Sequence, residues 1–137
     1  APAFPVSLKN KQLFEDTIEF KEISKFWHDL DVVMLGIGTY PSVPDQATAA
    51  RFGALLRQKK AVGMLATYYF DVDGNLIQSK DDIVIRISLD DLHRAGKVVV
   101  IGGGAKKINA IRGTLKTGLV THVITDDKTA QALINYH

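Results

Sequence analysis

The 137-residue sequence contains no cysteine. That excludes disulfides, thiolate nucleophiles and cysteine-held metals, and it fits a reducing cytoplasm, the expected location. Long apolar runs are missing as well. None approaches the ~20 residues needed to span a bilayer, so no membrane partner is expected. Concentrated charge is also absent. The net charge is +2, and the densest basic cluster, Arg57, Lys59 and Lys60, is interrupted by Gln58. Such a cluster reads as a solvated helix end, and no nucleic-acid-binding surface is expected of this stretch itself. The first eleven residues lack the charged-then-apolar layout of a signal peptide and begin without methionine, so the sequence reads as a piece of a longer protein.

Against these absences stand an apolar fraction of 46% and a charged fraction of 23%. Both are ordinary for a globular domain, and the length suits one domain, residues 1–137, with one core.

Apolar positions Leu13, Phe14, Ile18, Phe20, Ile23, Phe26 and Trp27 recur at helical spacing, predicting one amphipathic helix or two short ones within 9–30. Residues 31–35 form a short apolar run closed by Gly36-Ile37-Gly38-Thr39, which reads as a buried strand and a glycine turn. A loop marked by Pro41 and Pro44 follows, with Asp45 as the expected cap of a helix to about 59. Residues 65–70 and 76–77, either side of Asp73-Gly74-Asn75, predict a β-hairpin. Residues 83–87 are β-branched and expected to be extended. Ser88 and Asp91 resemble a capping box before a short helix. The clearest strand is 97–101, which runs into Gly102-Gly103-Gly104 and a helix over 105–116 ended by Gly118. Residues 120–124 read as another strand, with Thr125-Asp126 capping a last helix to about 135. Strand, glycine turn, helix, strand, helix is the βαβ order of a parallel α/β sheet.

Ligands of such sheets bind outside the carboxyl ends of the strands. Three segments leave those ends: residues 36–39, 102–107 and 125–126. Glycines let backbone N–H groups approach an anion, the helix adds its N-terminal dipole, and Lys106 or Lys107 adds charge. The same segment can equally be a tight turn with solvent-facing lysines, and the residues alone leave both readings open. It matches neither a Walker loop nor a dinucleotide fingerprint, because Lys107 stands where the third glycine would be. Gly36, Gly38 and Thr39 offer further N–H donors and a hydroxyl, or simply a backbone turn. Asp126 reads as a helix cap. His28, His93, His122 and His137 have no metal-type spacing, and no GxSxG elbow occurs. Asp71, Asp73 and Asn75 lack the later glutamate of a calcium loop, so a hairpin turn is the better reading. No cofactor, metal or catalytic residue is expected.

Taken in order along nearly the whole chain, these pieces resemble the effector-binding domain of SorC-type sugar-sensing bacterial transcriptional regulators. The matching segments are residues 1–3, 31–38, 61–63, 69–74, 87–92 and 98–103, then Lys107, Ala110-Ile111, 118–120 and 124–126. The resemblance implies an α/β fold like the sugar-phosphate isomerase and deaminase group. That fold is a doubly wound, mostly parallel sheet, here with an added β-hairpin. It implies binding of a phosphorylated sugar rather than turnover, and assembly as a homo-oligomer, dimer or tetramer. It also implies that the N-terminal half of the domain and a helix-turn-helix region, the route to DNA, precede this chain. By position, Lys107 resembles the family's phosphate-contacting lysine, Gly102 and Gly103 its glycine pair, and Gly36 to Gly38 its floor. Gly104 and Thr39 complete the expected ligand-binding set. Met64 departs from the pattern, since the family commonly has an acidic residue there that accepts from sugar hydroxyls. Arg51 and Arg57 are candidates for a basic pocket residue. Two rival expectations stand beside this one: a sugar-phosphate isomerase or deaminase, and a structural oligomerisation half-domain without ligand.

Overall fold

The computed structural model describes residues 3–41 and 46–136. Pro44 and the expected cap Asp45 lie outside the described residues, as do Ala1, Pro2 and His137.

The chain opens with two helices, α1 (Leu8–Glu15) and α2 (Ile18–His28). Ser7 and Thr17 cap them by accepting from the N–H groups of Asn10 and Phe20. Phe14, Phe20 and Trp27 join them edge to face, with ring centroids 5.5 and 6.0 Å apart. β1 (Val32–Gly36) follows, then Ile37 and the two-residue β2 (Gly38–Thr39).

The single helix expected up to residue 59 is instead two, α3 (Gln46–Phe52) and α4 (Leu55–Gln58). Gly53 between them sits at φ +54°, a left-handed residue that ends the first. The single strand expected over 65–70 is also divided, into β3 (Ala61–Leu65) and β4 (Tyr68–Asp71). Ala66 and Thr67 turn between them at φ +45° and +67°. Arg51 and Arg86 both donate to the Thr67 carbonyl, at 3.1 and 2.9 Å, so the turn is held by groups distant in sequence. β5 (Leu76–Ile77) completes the predicted hairpin, whose turn Asp71 organises by accepting from the N–H groups of Asp73 and Asn75. Residues 83–87 join neither sheet, although the Tyr68 hydroxyl donates to the Ile87 carbonyl at 2.8 Å.

α5 (Leu89–Arg94) begins as predicted, with the Ser88 hydroxyl accepting from Asp91 N–H at 3.0 Å. β6 (Lys97–Ile101) leads through the glycines into a 3₁₀ turn at Ala105–Lys107 and then α6 (Ile108–Lys116). The α-helix therefore starts three residues later than the sequence predicts. β7 (His122–Ile124) is shorter than the expected 120–124, because the Thr121 hydroxyl takes the Val98 N–H at 2.9 Å in place of a ladder partner. α7 (Asp127–Ile134) closes the chain, capped by Asp126.

The strands form two sheets. β1, β6 and β7 are parallel in the order β1-β6-β7, and β2, β3, β4 and β5 form an antiparallel sheet in that order. The predicted α/β class, with its parallel sheet and added hairpin, is the one the chain adopts; the antiparallel part is wider than one hairpin. Ile37, Leu65, Phe70 and Val100 pack with Ala110 and Ile111 of α6, so one cluster binds both sheets to that helix. Val33, Val98, Leu92 and Ala95 extend the same layer under α5. Among the described residues the opposite face of the parallel sheet is left uncovered. Val32, Met34, Ile101 and Ile124 are 47, 63, 45 and 52% exposed there, although parallel sheets are ordinarily covered on both faces. Among the described residues no helix is long and apolar enough to cross a membrane.

Candidate functional site

The parallel register places the ends of β1, β6 and β7 side by side, with Gly36 opposite Ile101 and Ile101 opposite Ile124. The three segments that leave those ends therefore converge, as the βαβ order predicts. Gly102 N–H donates to Ile124 O at 3.1 Å, and Ile37 N–H donates to Ile101 O at 3.3 Å. Ile37 is buried, and a Cβ on Gly102 would lie 3.3 Å from its side chain. The apolar anchor between Gly36 and Gly38 thus packs under the second glycine turn.

Lys107 reaches across this junction. Its Nζ donates to Ile37 O at 2.9 Å, so the ammonium sits between the turns after β1 and β6. Gly103 has close neighbours, since a Cβ there would overlap the Asp126 carboxylate. Gly104 takes φ +99°, a conformation that side-chain-bearing residues rarely adopt. Its N–H donates to the Thr129 hydroxyl at 2.8 Å and so faces the protein. The Gly103 N–H has no hydrogen-bond partner among the described residues. The buried Thr125 hydroxyl, beside Gly103, has none either.

Asp126 accepts from Thr129 N–H at 2.8 Å and from the Thr129 hydroxyl at 2.7 Å. Those two bonds, foremost the backbone one, hold its carboxyl below the usual aspartate range. It is therefore a firmly ionised cap, and its charge beside Gly103 opposes the positive charge of Lys107.

Gly38 and Thr39 belong to the antiparallel sheet, opposite Met64 and Gly63. Met64 lies directly over the first of them, with its Cγ 2.8 Å from where a Gly38 Cβ would be. Met64 therefore borders the first of the two glycine-bearing turns at Gly38. Thr39 stands one step further along β2.

Arg51 belongs to a cluster around Asp82. It is 5% exposed, and its Nε donates to Asp82 at 2.7 Å while Arg86 donates to the other carboxylate oxygen at 2.9 Å. Arg57 is exposed on α4. His28 lies 3.2 Å from Asp91, and His93 and His122 are exposed. Among the described residues no group of three or more His, Asp or Glu is placed to hold a metal.

Sequence reasoning missed Thr129 as a partner of the glycine turn. The only signal was its place three residues after Asp126, which marks a capped helix start and nothing more. The Asp82 cluster was missed as well, because Arg51 lies 31 positions from Asp82 and the i,i+4 pair Asp82–Arg86 is not on a helix.

Residues 1–135 match the family model described as "Putative sugar-binding domain". The deoxyribonucleoside regulator of Bacillus subtilis (strain 168) is 30% identical over 133 residues, covering 91% of this chain and 41% of that protein. The full-length sorbitol operon regulator SorC of Klebsiella pneumoniae superposes with a TM-score of 0.85 at 24% identity, over 98% of this chain and 44% of that one. A DeoR family transcriptional regulator from Listeria monocytogenes gives a TM-score of 0.79 at 23% identity, over 97% of this chain and 56% of that one. The last two likenesses speak to the fold alone. The chain spans less than half the length of curated relatives it matches, 41% of the deoxyribonucleoside regulator and 44% of the sorbitol operon regulator. With all but its last two residues matched by the family model, the chain belongs to the sugar-binding domain family.

Proposed function

We propose that the chain is the effector-sensing part of a bacterial transcriptional regulator and binds a phosphorylated sugar above the ends of β1 and β6. The observation that carries this reading is the Lys107 ammonium held between two glycine turns by Ile37 O. In this reading the phosphate takes the Gly103 N–H and the Lys107 charge, with Gly36, Gly38 and Gly102 forming the close backbone floor. The Gly104 N–H serves the protein, and Gly104 contributes shape. The Thr39 hydroxyl meets the sugar. Effector binding bridges these turns and biases a dimer or tetramer, which changes operator affinity through a DNA-binding region elsewhere in the intact protein.

The bare sheet face supports a further part of this reading, that the domain is completed by an N-terminal half outside this chain. The solved Listeria regulator, of which this chain covers 56%, has length to spare for one. The relatives include a deoxyribonucleoside regulator and a sorbitol operon regulator, so no single sugar is proposed.

The rival reading, an isomerase or deaminase, needs a carboxylate base beside the glycine turn. Asp126 is beside it, but both its oxygens accept from Thr129 and its pKa is held low, which suits a cap better than a base.

Thermal melting of the intact protein against sugar phosphates and their unphosphorylated parents tests the proposal. A ligand at about 100 times its dissociation constant adds about 2.7 kcal/mol of stability, a readily seen shift. A shift with phosphorylated sugars only is expected. A flat panel overturns the reading, and turnover of an aldose phosphate favours the rival.

A further inference from the structure

We propose that Thr129 is a positioning residue of the effector site, acting on the glycine turn without touching the ligand. It is 3% exposed and lies on α7, outside the strand-end segments. Its hydroxyl does two things at once. It donates to Asp126 Oδ2 at 2.7 Å and accepts from Gly104 N–H at 2.8 Å. A hydroxyl has one proton, and the carboxylate can only accept, so the direction of each bond is fixed. The ionised Asp126 orients the hydroxyl, and the oriented hydroxyl offers its lone pair to Gly104.

The consequence falls on backbone shape. Gly104 is at φ +99°, where glycine is otherwise free to move among several conformations. Pinning its N–H removes that freedom. It also fixes the peptide between Gly103 and Gly104, so that the Gly103 N–H, which belongs to the preceding peptide, can swing only through the two Gly103 dihedrals. Asp126 sits where a Gly103 Cβ would be, so the carboxylate and the glycine turn are packed as one unit. The relay Asp126–Thr129–Gly104 therefore sets the turn in advance of binding, and preorganisation of this kind raises affinity by lowering the ordering cost.

This inference rests on the reading of the glycine turn as the phosphate-binding element, and its test separates the two. Thr129→Val keeps the shape and removes the hydroxyl, while Thr129→Ser keeps the hydroxyl. The probes are glucose 6-phosphate, fructose 6-phosphate and ribose 5-phosphate, titrated into the intact protein by calorimetry. For whichever probe the native protein binds, Thr129→Val is expected to weaken affinity about five- to tenfold, the worth of one to two neutral hydrogen bonds, and Thr129→Ser to stay within about twofold. Gly104 amide exchange, followed by NMR, gives a second readout that needs no ligand. Exchange is expected to be at least about tenfold faster in Thr129→Val than in the native protein or Thr129→Ser. If no probe binds the native protein, the functional reading fails and the exchange data alone judge the relay. Native-like affinity or native-like Gly104 exchange in Thr129→Val overturns the inference.

Discussion

Lys107 Nζ and the Ile37 carbonyl oxygen meet at 2.9 Å, across a separation of 70 positions in sequence. One contact thus closes the two glycine turns on each other and brings a full positive charge to their junction. Lys107→Ala removes both effects. A charge-assisted hydrogen bond at a part-buried position contributes about 1–2 kcal/mol, so a melting shift of a few degrees is expected. Affinity for a phosphorylated sugar should fall at least about tenfold, while its unphosphorylated parent loses little. Unchanged phosphate affinity in calorimetry removes Lys107 from the site.

Much of this junction was legible in advance. The run at 97–101 is β-branched and ends in three glycines, so strand and turn announce themselves, and Lys107 follows at the start of the helix. Asp73-Gly74-Asn75 marked its hairpin for the same local reason. What could not be read depends on distant groups. Ala66 and Thr67 adopt left-handed conformations without a glycine because Arg51 and Arg86 grip the Thr67 carbonyl. Gly38 and Thr39 form a strand only because β3 lies beside them, and two residues carry no periodicity of their own. Thr129 joins the glycine turn only once α7 is docked against it.

Met64 offers a gain-of-function experiment. It pairs with Gly38, at the edge of the glycine floor, where its thioether is a poor hydrogen-bond acceptor. Met64→Glu supplies a carboxylate that accepts from sugar hydroxyls. Affinity for the preferred sugar phosphate is expected to rise about tenfold, and discrimination among hydroxyl epimers to sharpen, the scale of one good charge-assisted bond. A variant with lower affinity and unchanged discrimination places the sugar elsewhere.

The lowered carboxyls predict an acid limit. Thr129 holds Asp126 down by two hydrogen bonds. For Asp71, burial pushes the other way but is outweighed by bonds from Asn75, Asp73 and Gly74. Both groups have folded pKa values below the ordinary 3.8. Their stabilisation is therefore fully present above the unfolded value and is lost as pH falls through the folded ones. Melting temperature should be flat in this respect above about pH 5 and fall below pH 4. Asp126→Asn should shallow that acid-side slope, and an unchanged slope would show that other groups set it.

Asp82 is shared by two guanidiniums. Its side chain is 9% exposed, with those of Arg51 and Arg86 at 6 and 18%. The Arg51 guanidinium also lies over the rings of Phe52 and Tyr69, at 5.0 and 5.9 Å. Removing the carboxylate leaves one buried and one half-buried guanidinium without their anion. Asp82→Ala is expected to cost about 3–5 kcal/mol in chemical denaturation. Combining it with Arg51→Met should restore part of that loss, because one uncompensated charge is then gone. A single variant within 1 kcal/mol of native would mean that solvent reaches the cluster freely.

The bare face of the parallel sheet makes a prediction that differs between this chain and the intact protein. Met34 is 63% exposed at its centre, paired with Val99 in β6, which is paired in turn with His122. In the isolated chain Met34→Lys replaces one solvent-facing side chain with another, and surface changes of this kind stay within about 0.5 kcal/mol. It should also reduce binding of hydrophobic dyes and concentration-dependent association, since the patch loses its apolar centre. If an N-terminal half covers the face in the intact protein, the same substitution buries an ammonium against apolar neighbours. A destabilisation of several kcal/mol is then expected. Melting both forms with and without the substitution decides the matter. A neutral result in both would show that the face stays open to water in the whole regulator, and the proposal of a completing half would fall.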